Sequence, residues 1–147
     1  MVVDLRSNNA GDWMITSVPA ITPKTSVATA LRLLREHRVP ALPVTDGARL
    51  LGLVDERALL RLTPSEATTL DIYELRDVLD RMTVIRVASP VRATISSDTG
   101  INEAADLMLR EGAGVIPVVD DGRFAGLLTW TSVLAVALKR GGHRDVA

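Results

Sequence analysis

Sliding the chain against itself by 74 residues aligns residues 21–60 with 95–134 without a gap, and eleven of those 40 pairs are identical. They include Ala30/Ala104, Leu33/Leu107, Pro43/Pro117, Val44/Val118, Asp46/Asp120, Gly52/Gly126 and Leu53/Leu127, with conservative pairs such as Val27/Ile101 between them. A duplication of this kind restricts the fold to two similar halves. Each copy of some 60 residues would bury only about 60% of its unfolded surface, so two copies are expected to pack together.

Both copies carry the same order of patterns. A short extended piece (residues 20–22; 94–96) leads through turn-forming residues into a helix. There Val27, Ala30, Leu31 and Leu34, and again Ile101, Ala104, Ala105 and Met108, mark one apolar face. Two apolar runs follow, residues 41–45 and 50–54 around Asp46-Gly47, then 115–119 and 124–128 around Asp121-Gly122. Runs of this length flanking Asp-Gly predict a buried β-hairpin. A second helix is expected over 56–62 and over 130–139, the latter stopping at Gly141-Gly142 with Lys139 and Arg140 suited to its C-terminal dipole. The fold class is therefore α/β (α+β), two β-α-β-β-α repeats packed with pseudo-twofold symmetry. The expected division is 12–62 for the first repeat, 63–90 for a structured connector, 91–140 for the second repeat and 141–147 for a flexible tail. In the connector, Leu75, Val78, Leu79 and Met82 share one helical face.

Composition excludes several classes. With 47% hydrophobic and 24% charged residues the chain is predicted to be globular. A net charge of −1 gives no basic surface for a phosphate backbone, so no nucleic acid is expected as partner. There is no Cys, which removes disulfides, thiolate catalysis and thiolate zinc sites. No apolar stretch is long enough to span a bilayer and no signal-peptide pattern opens the chain, so a cytoplasmic protein without a membrane association is expected. No Ser, His and Asp arrangement, phosphate-cradling glycine loop or metal-ligand cluster is present, so no catalytic residues, no metal and no cofactor are expected.

An apolar run ending in Pro-Val, then Gly, two apolar residues and a helix cap resembles the CBS domain. The marks are Leu42-Pro43-Val44 with Gly52-Leu53-Val54, and Ile116-Pro117-Val118 with Gly126-Leu127-Leu128-Thr129. The resemblance covers about residues 12 to 140. It implies a tandem pair, or Bateman module, in which adenosine compounds such as AMP, ADP, ATP, S-adenosylmethionine or NAD bind in clefts between the repeats. The family's usual signature is Gly, two apolar residues, Ser or Thr, two variable residues and Asp. The hydroxyl faces phosphate at a helix N-terminus, and the carboxylate accepts from ribose. This chain departs from it twice. Thr129 keeps the hydroxyl but Ser132 stands where the family has Asp; in the first repeat Asp55 and Ala58 stand at the two positions. The resemblance therefore implies a second-repeat site of Thr94, Val115, Ile116, Pro117, Thr129 and Ser132, with the first-repeat cleft degenerate.

Structural roles compete for the same residues. Asp55 and Thr129 are each suited to be an N-cap, worth about 1 kcal/mol without any ligand. Gly52 and Gly126 can admit either a crossing backbone or a flat base. Trp130 fits an interface better than base stacking, and Trp13 fits packing. His37 suits a helix C-terminus and His143 a tail; Arg38 and Arg110 lie where a phosphate could approach. The leading expectation is a non-enzymatic regulatory module that binds an adenosine-type ligand and signals to an effector protein in trans. The alternative is a ligand-free dimerisation or scaffold module. The apolar last helix, with Val133, Leu134, Val136, Ala137 and Leu138, predicts a homodimer.

Overall fold

The computed structural model describes residues 8–60 and 72–146. In chain order the elements are α1 (Ala10–Trp13), α2 (Val27–His37), β1 (Ala41–Asp46), β2 (Arg49–Asp55), α3 (Glu56–Leu60), α4 (Ile72–Arg81), a 3-10 turn (Val84–Arg86), β3 (Ser89–Pro90), α5 (Ile101–Glu111), β4 (Val115–Asp120), β5 (Arg123–Thr129) and α6 (Trp130–Val146). Residues 61 and 62, expected to end the second helix of the first repeat, and the connector up to residue 71 lie outside the described residues.

The chain divides into two compact units that do not follow the order of the repeats. A middle unit is Ser17–Val91; a terminal unit joins Met1–Thr16 to Arg92–Ala147.

In the middle unit, Ser26 caps α2 by accepting the Thr29 N–H at 3.1 Å. The helix buries Val27, Ala30 and Leu34, three members of the apolar stripe, and ends on Arg38 in the left-handed region (φ 52°). β1 and β2 form the antiparallel hairpin, with a register shift between Val44 and Thr45. Ile21 lies parallel beside Val44 on one edge, and β3 pairs with β2 on the other through Leu53/Ser89 and Gly52/Pro90. Ile21, Val27, Leu42, Val44, Val54, Leu59 and Val84 are all buried here.

The terminal unit repeats this plan in its hairpin and edge contacts. α5 buries Ile101, Ala104 and Met108 and ends on Gly112, again left-handed (φ 63°). The β4–β5 hairpin has its register shift at the matching place, between Val118 and Val119. Ile95 lies parallel beside Val118, and Ile15 pairs antiparallel with Leu127. The equivalence extends into the segment before each repeat. Ala10 N–H donates to Thr99 O at 2.7 Å as Val84 N–H donates to Thr25 O at 2.8 Å, and Ala10 and Val84 are both fully buried. Ile101 N–H donates to Asn8 O as Val27 N–H donates to Met82 O. So the segment that precedes the first repeat completes the terminal unit, and the segment that precedes the second repeat completes the middle one.

Gly52 and Gly126 are explained by these crossings. A Cβ on Gly126 would stand 2.7 Å from the Ile15 carbonyl oxygen, and one on Gly52 would stand 2.8 Å from that of Ser89. Both are backbone atoms held in a sheet, so neither can step aside.

α6 differs from expectation at its end. The helix continues through Gly141 and Gly142 to Val146. Glycine lowers helix stability by about 1 kcal/mol but keeps its N–H, so it weakens a helix without terminating it. The side chains of Lys139, Arg140 and His143, given roles at that end, lie outside what is described.

Gly52→Ala and Gly126→Ala should each destabilise the protein by about 1–3 kcal/mol in urea unfolding. Gly114→Ala, whose added Cβ would meet nothing nearer than Trp130 at 3.7 Å, should stay within about 0.5 kcal/mol of the parent. Equal effects at all three positions would refute the close-approach explanation.

Candidate functional site

All six residues singled out by sequence belong to the terminal unit. Val115 lies directly opposite Thr129 in the hairpin, and Pro117 opposite Leu127. Ile95 N–H donates to Pro117 O at 3.1 Å, which brings Thr94 to the same end of the sheet. Ser132 lies in the first turn of α6, one turn beyond Thr129.

Their accessibilities differ. Thr94 is exposed and Val115 and Ser132 are half-buried, whereas Ile116 is 2% exposed and packs with Leu128, Val133 and Val136 in the unit's core. Ile116 therefore has only its backbone to offer a ligand. Pro117 is buried as well.

The N-cap roles are present at both copies. The Asp55 carboxylate accepts the Ala58 N–H at 2.7 Å, and the Thr129 hydroxyl accepts the Ser132 N–H at 3.1 Å. Thr129 is only 7% exposed, and its hydroxyl lies 3.2 Å from that of Ser132, so the two share a hydrogen bond. Chemically, the second-repeat cap is a neutral pair of hydroxyls at the N-terminus of a long helix, where partial positive charge favours an anion. In the first repeat, a carboxylate already occupies that field.

A cleft of about 360 Å3 opens beside the same sheet, lined by Thr94, Ser96, Thr99, Glu103, Leu107 and Arg110 with Ile95 and Val119. Its size falls in the range of small-molecule sites. It takes in Thr94 and Arg110 but none of the other five predicted residues. Ser96, Thr99 and Glu103 were not foreseen. The signal for the first two was in the repeat, since Thr22 and Thr25 stand at the matching positions and make the same bonds. Ser96 N–H donates to Thr99 Oγ1 at 3.1 Å, and Thr22 N–H to Thr25 Oγ1 at 3.1 Å.

Both Trp residues are partly buried against the terminal unit, which is the packing expected of Trp13. Trp130 lies against the terminal unit's core with its backbone N–H on Gly114 O, and Trp13 packs there too while its indole N–H donates to Asn8 Oδ1 at 3.1 Å. His37 sits in the last turn of α2 with Nδ1 3.1 Å from Leu33 O.

One of the bonds that set the copies apart lies beside the cleft. Asp120 Oδ1 accepts the Ser97 N–H at 2.9 Å, and hydrogen bonds from the Ser97 backbone and side chain hold the Asp120 carboxyl below its ordinary value. Asp46 stands at the same place in the first copy, but Pro23 stands where Ser97 does and has no N–H to give. Ser97 also receives the N-terminal segment, since Gly11 N–H donates to its carbonyl at 2.9 Å. Asp120 thus braces the loop that bears Ser96 and Thr99.

Among the described residues no helix is long and apolar enough to cross a membrane, and no cluster of His, Cys, Asp and Glu could hold a metal ion.

Comparison with known proteins places this geometry. The CBS-domain family model matches twice, at residues 10–65 and 84–139. CBSX2, a chloroplastic CBS domain-containing protein of Arabidopsis thaliana, is 30% identical over 150 residues that cover 88% of this chain and 63% of its own. A crystal structure of CBSX2 in complex with AMP matches with a TM-score of 0.72 and 31% identity, over 90% of this chain and 98% of that one. The CBS domain of a CBS domain containing membrane protein from Sphaerobacter thermophilus matches with a TM-score of 0.77 over 90% and 89% of the two chains, and at 22% identity it shares the fold alone. The chain spans 41–63% of the length of the first curated relatives it matches.

The Asp120 brace should show as a pH dependence of stability. A carboxyl whose folded pKa lies below its unfolded value, near 3.8, stabilises the fold above that value and loses this contribution as pH falls through the folded pKa. Asp120→Asn should therefore lower the unfolding midpoint near neutral pH, and its difference from the parent should shrink to nothing in strong acid. A difference that stays constant across the acid range would contradict the brace.

Proposed function

From a chain that belongs to the CBS-domain family as a tandem pair, we propose a non-catalytic regulatory module that binds an adenosine compound through its terminal unit and signals to a separate effector protein. AMP is the first ligand to test, because the CBSX2 relative of known structure was solved with it. ADP, ATP, S-adenosylmethionine and NAD complete the set. The observation that carries this reading is the neutral hydroxyl pair of Thr129 and Ser132 at the start of α6. The helix N-terminus and two hydroxyls can meet phosphate and ribose oxygens, while Val115 and the backbone of Ile116 and Pro117 form an apolar edge for adenine. Thr94 stands at the same end of the sheet. The first-repeat counterpart, with Asp55 capped onto Ala58, repels an anion and has no group for ribose.

The scaffold reading is favoured by one feature of the same residues. Thr129 and Ser132 satisfy each other, so neither hydroxyl needs a ligand. Both readings include a homodimer. α6 separates its apolar residues into two faces: Val133 and Val136 are buried against its own unit, while Leu134 and Leu138 remain 58% and 74% exposed. Two leucines one turn apart in water are the pattern of a covered helix face, and a second copy is the cover we assign.

A thermal-shift panel of the five compounds separates the two readings. A ligand at 100 times its Kd should stabilise the protein by about 2.7 kcal/mol. Ser132→Asp should tighten adenosine binding by roughly 1–2 kcal/mol by supplying the ribose acceptor of the family signature. Thr129→Ala should weaken binding and cost about 1 kcal/mol of stability through the lost cap. If no compound shifts either the parent or Ser132→Asp, the scaffold reading replaces the sensor.

A further inference from the structure

The cleft of the terminal unit sets a carboxylate and a guanidinium on either side of a leucine. Glu103 stands in the first turn of α5 and Arg110 in the last, and both line the cleft with Leu107. With about 3.6 residues per turn these three share one flank of the helix, while Asp106 and the 68% exposed Leu109 lie on another. Seven residues of helix place the two charged positions about 10 Å apart. Opposite them, the hydroxyls of Ser96 and Thr99 lie 3.2 Å apart on the loop that Asp120 holds through the Ser97 N–H. The cleft is also bordered by an open strand edge. Ile95 makes the bonds to β4, donating to Pro117 O and accepting from Val119 N–H, whereas the Thr94 N–H and C=O make none with the described residues.

The first copy is built differently. Thr29 stands at the place of Glu103 and Glu36 at that of Arg110. The Ser26 hydroxyl donates to Thr29 Oγ1 at 2.9 Å, so that position serves the start of α2. Gly100 replaces Ser26 in the second copy, and Glu103 makes no hydrogen bond or ion pair with the described residues. The groove that α4 makes with α2 on the middle unit is cationic, with Arg32, Arg35 and Arg76 against Glu36. The terminal cleft balances its charges.

We infer that this cleft binds a short extended peptide of two or three residues with free ends. Its ammonium meets Glu103, its carboxylate meets Arg110, a side chain rests on Leu107 and a main-chain amide pairs with the edge at Thr94. Three extended residues reach about 10 Å, the spacing of the two charged positions. Charge narrows the class. A polyphosphate meets Glu103, a polyamine meets Arg110, and an apolar compound leaves both charges without a partner. Either charge alone suits the helix dipole, but the dipole does not require both on one flank above hydroxyls and an open edge. The pair Arg110 makes with Asp106 at 3.5 Å joins side chains 67% and 70% exposed, where it contributes little and yields to a ligand.

Equilibrium dialysis of trialanine against the whole protein, with no adenosine compound present, tests the inference. Trialanine should bind, and both N-acetyl-trialanine and trialanine amide should bind at least about tenfold more weakly. Glu103→Gln should weaken trialanine about tenfold and leave the acetylated peptide within about twofold of its affinity for the parent; Arg110→Gln should do the same with the amide. No binding of trialanine at millimolar concentration, equal binding of the three peptides, or variants that weaken all three alike would overturn the inference. It does not rest on the adenosine reading, since each probe is measured in the absence of the other's ligand.

Discussion

Two backbone hydrogen bonds, Ile15 N–H to Leu127 O at 2.7 Å and Leu127 N–H to Ile15 O at 3.0 Å, fasten the N-terminal segment to the edge of β5. The rest of the terminal unit is arranged around them. Because Ile15 passes directly over Gly126, no side chain is possible there, and the neighbouring Leu127 is driven fully into the interior. α1 then follows along the unit far enough to bury Ala10 and to bond with Thr99 and Ser97, the loop that leads into α5. The middle unit reproduces this arrangement with Ser89 over Gly52 and Val84 in the place of Ala10. A hairpin and two helices of this size bury too little apolar surface to stand unaided. The borrowed segment closes one sheet edge and caps the core, which is how a short repeat becomes a unit.

How far this was legible follows from which atoms do the work. The stripes on α2 and α5, the hairpins with Pro43 and Pro117, and the caps at Asp55 and Thr129 all depend on side chains, and all were readable from residue type and spacing. The borrowed segments depend on main-chain groups. Between residues 8–20 and 82–94 no pair is identical at the 74-residue offset, yet the hydrogen bonds fall at matching positions. N–H and C=O groups are the same in every residue but proline, so such a segment can diverge completely and keep its place. For the same reason the two glycines were visible but their cause was not. A missing Cβ marks a close approach without saying what approaches. In the candidate site, Thr129 and Ser132 were found through the family signature, whereas Ser96, Thr99 and Glu103 are gathered by the fold from a loop and a helix face. No local pattern announces that gathering.

Duplication supplied two equivalent frames, and among the many aligned pairs that differ a few change charge or hydrogen-bonding capacity at the caps, loops and helix faces. Thr129 and Ser132 against Asp55 and Ala58 leave one cap neutral and the other anionic. Ser97 against Pro23 lets Asp120 brace one loop while Asp46 lacks that partner. Asp106 and Leu109 against Arg32 and Arg35 give one helix an acidic apolar surface and its mate a basic one. None of these exchanges touches the buried stripe residues, so the frames stay alike while their surfaces part.

The pattern of those exchanges bears on why a tandem pair would keep two units. Were both copies selected only to hold a core, surface differences would scatter between them. Instead the terminal unit holds the neutral cap, the braced loop with its cleft and the projecting Leu109, and the middle unit holds the groove made with α4. Arg110 lines that cleft with Thr94 and Ser96 and also pairs with Asp106, one turn earlier on α5, at 3.5 Å.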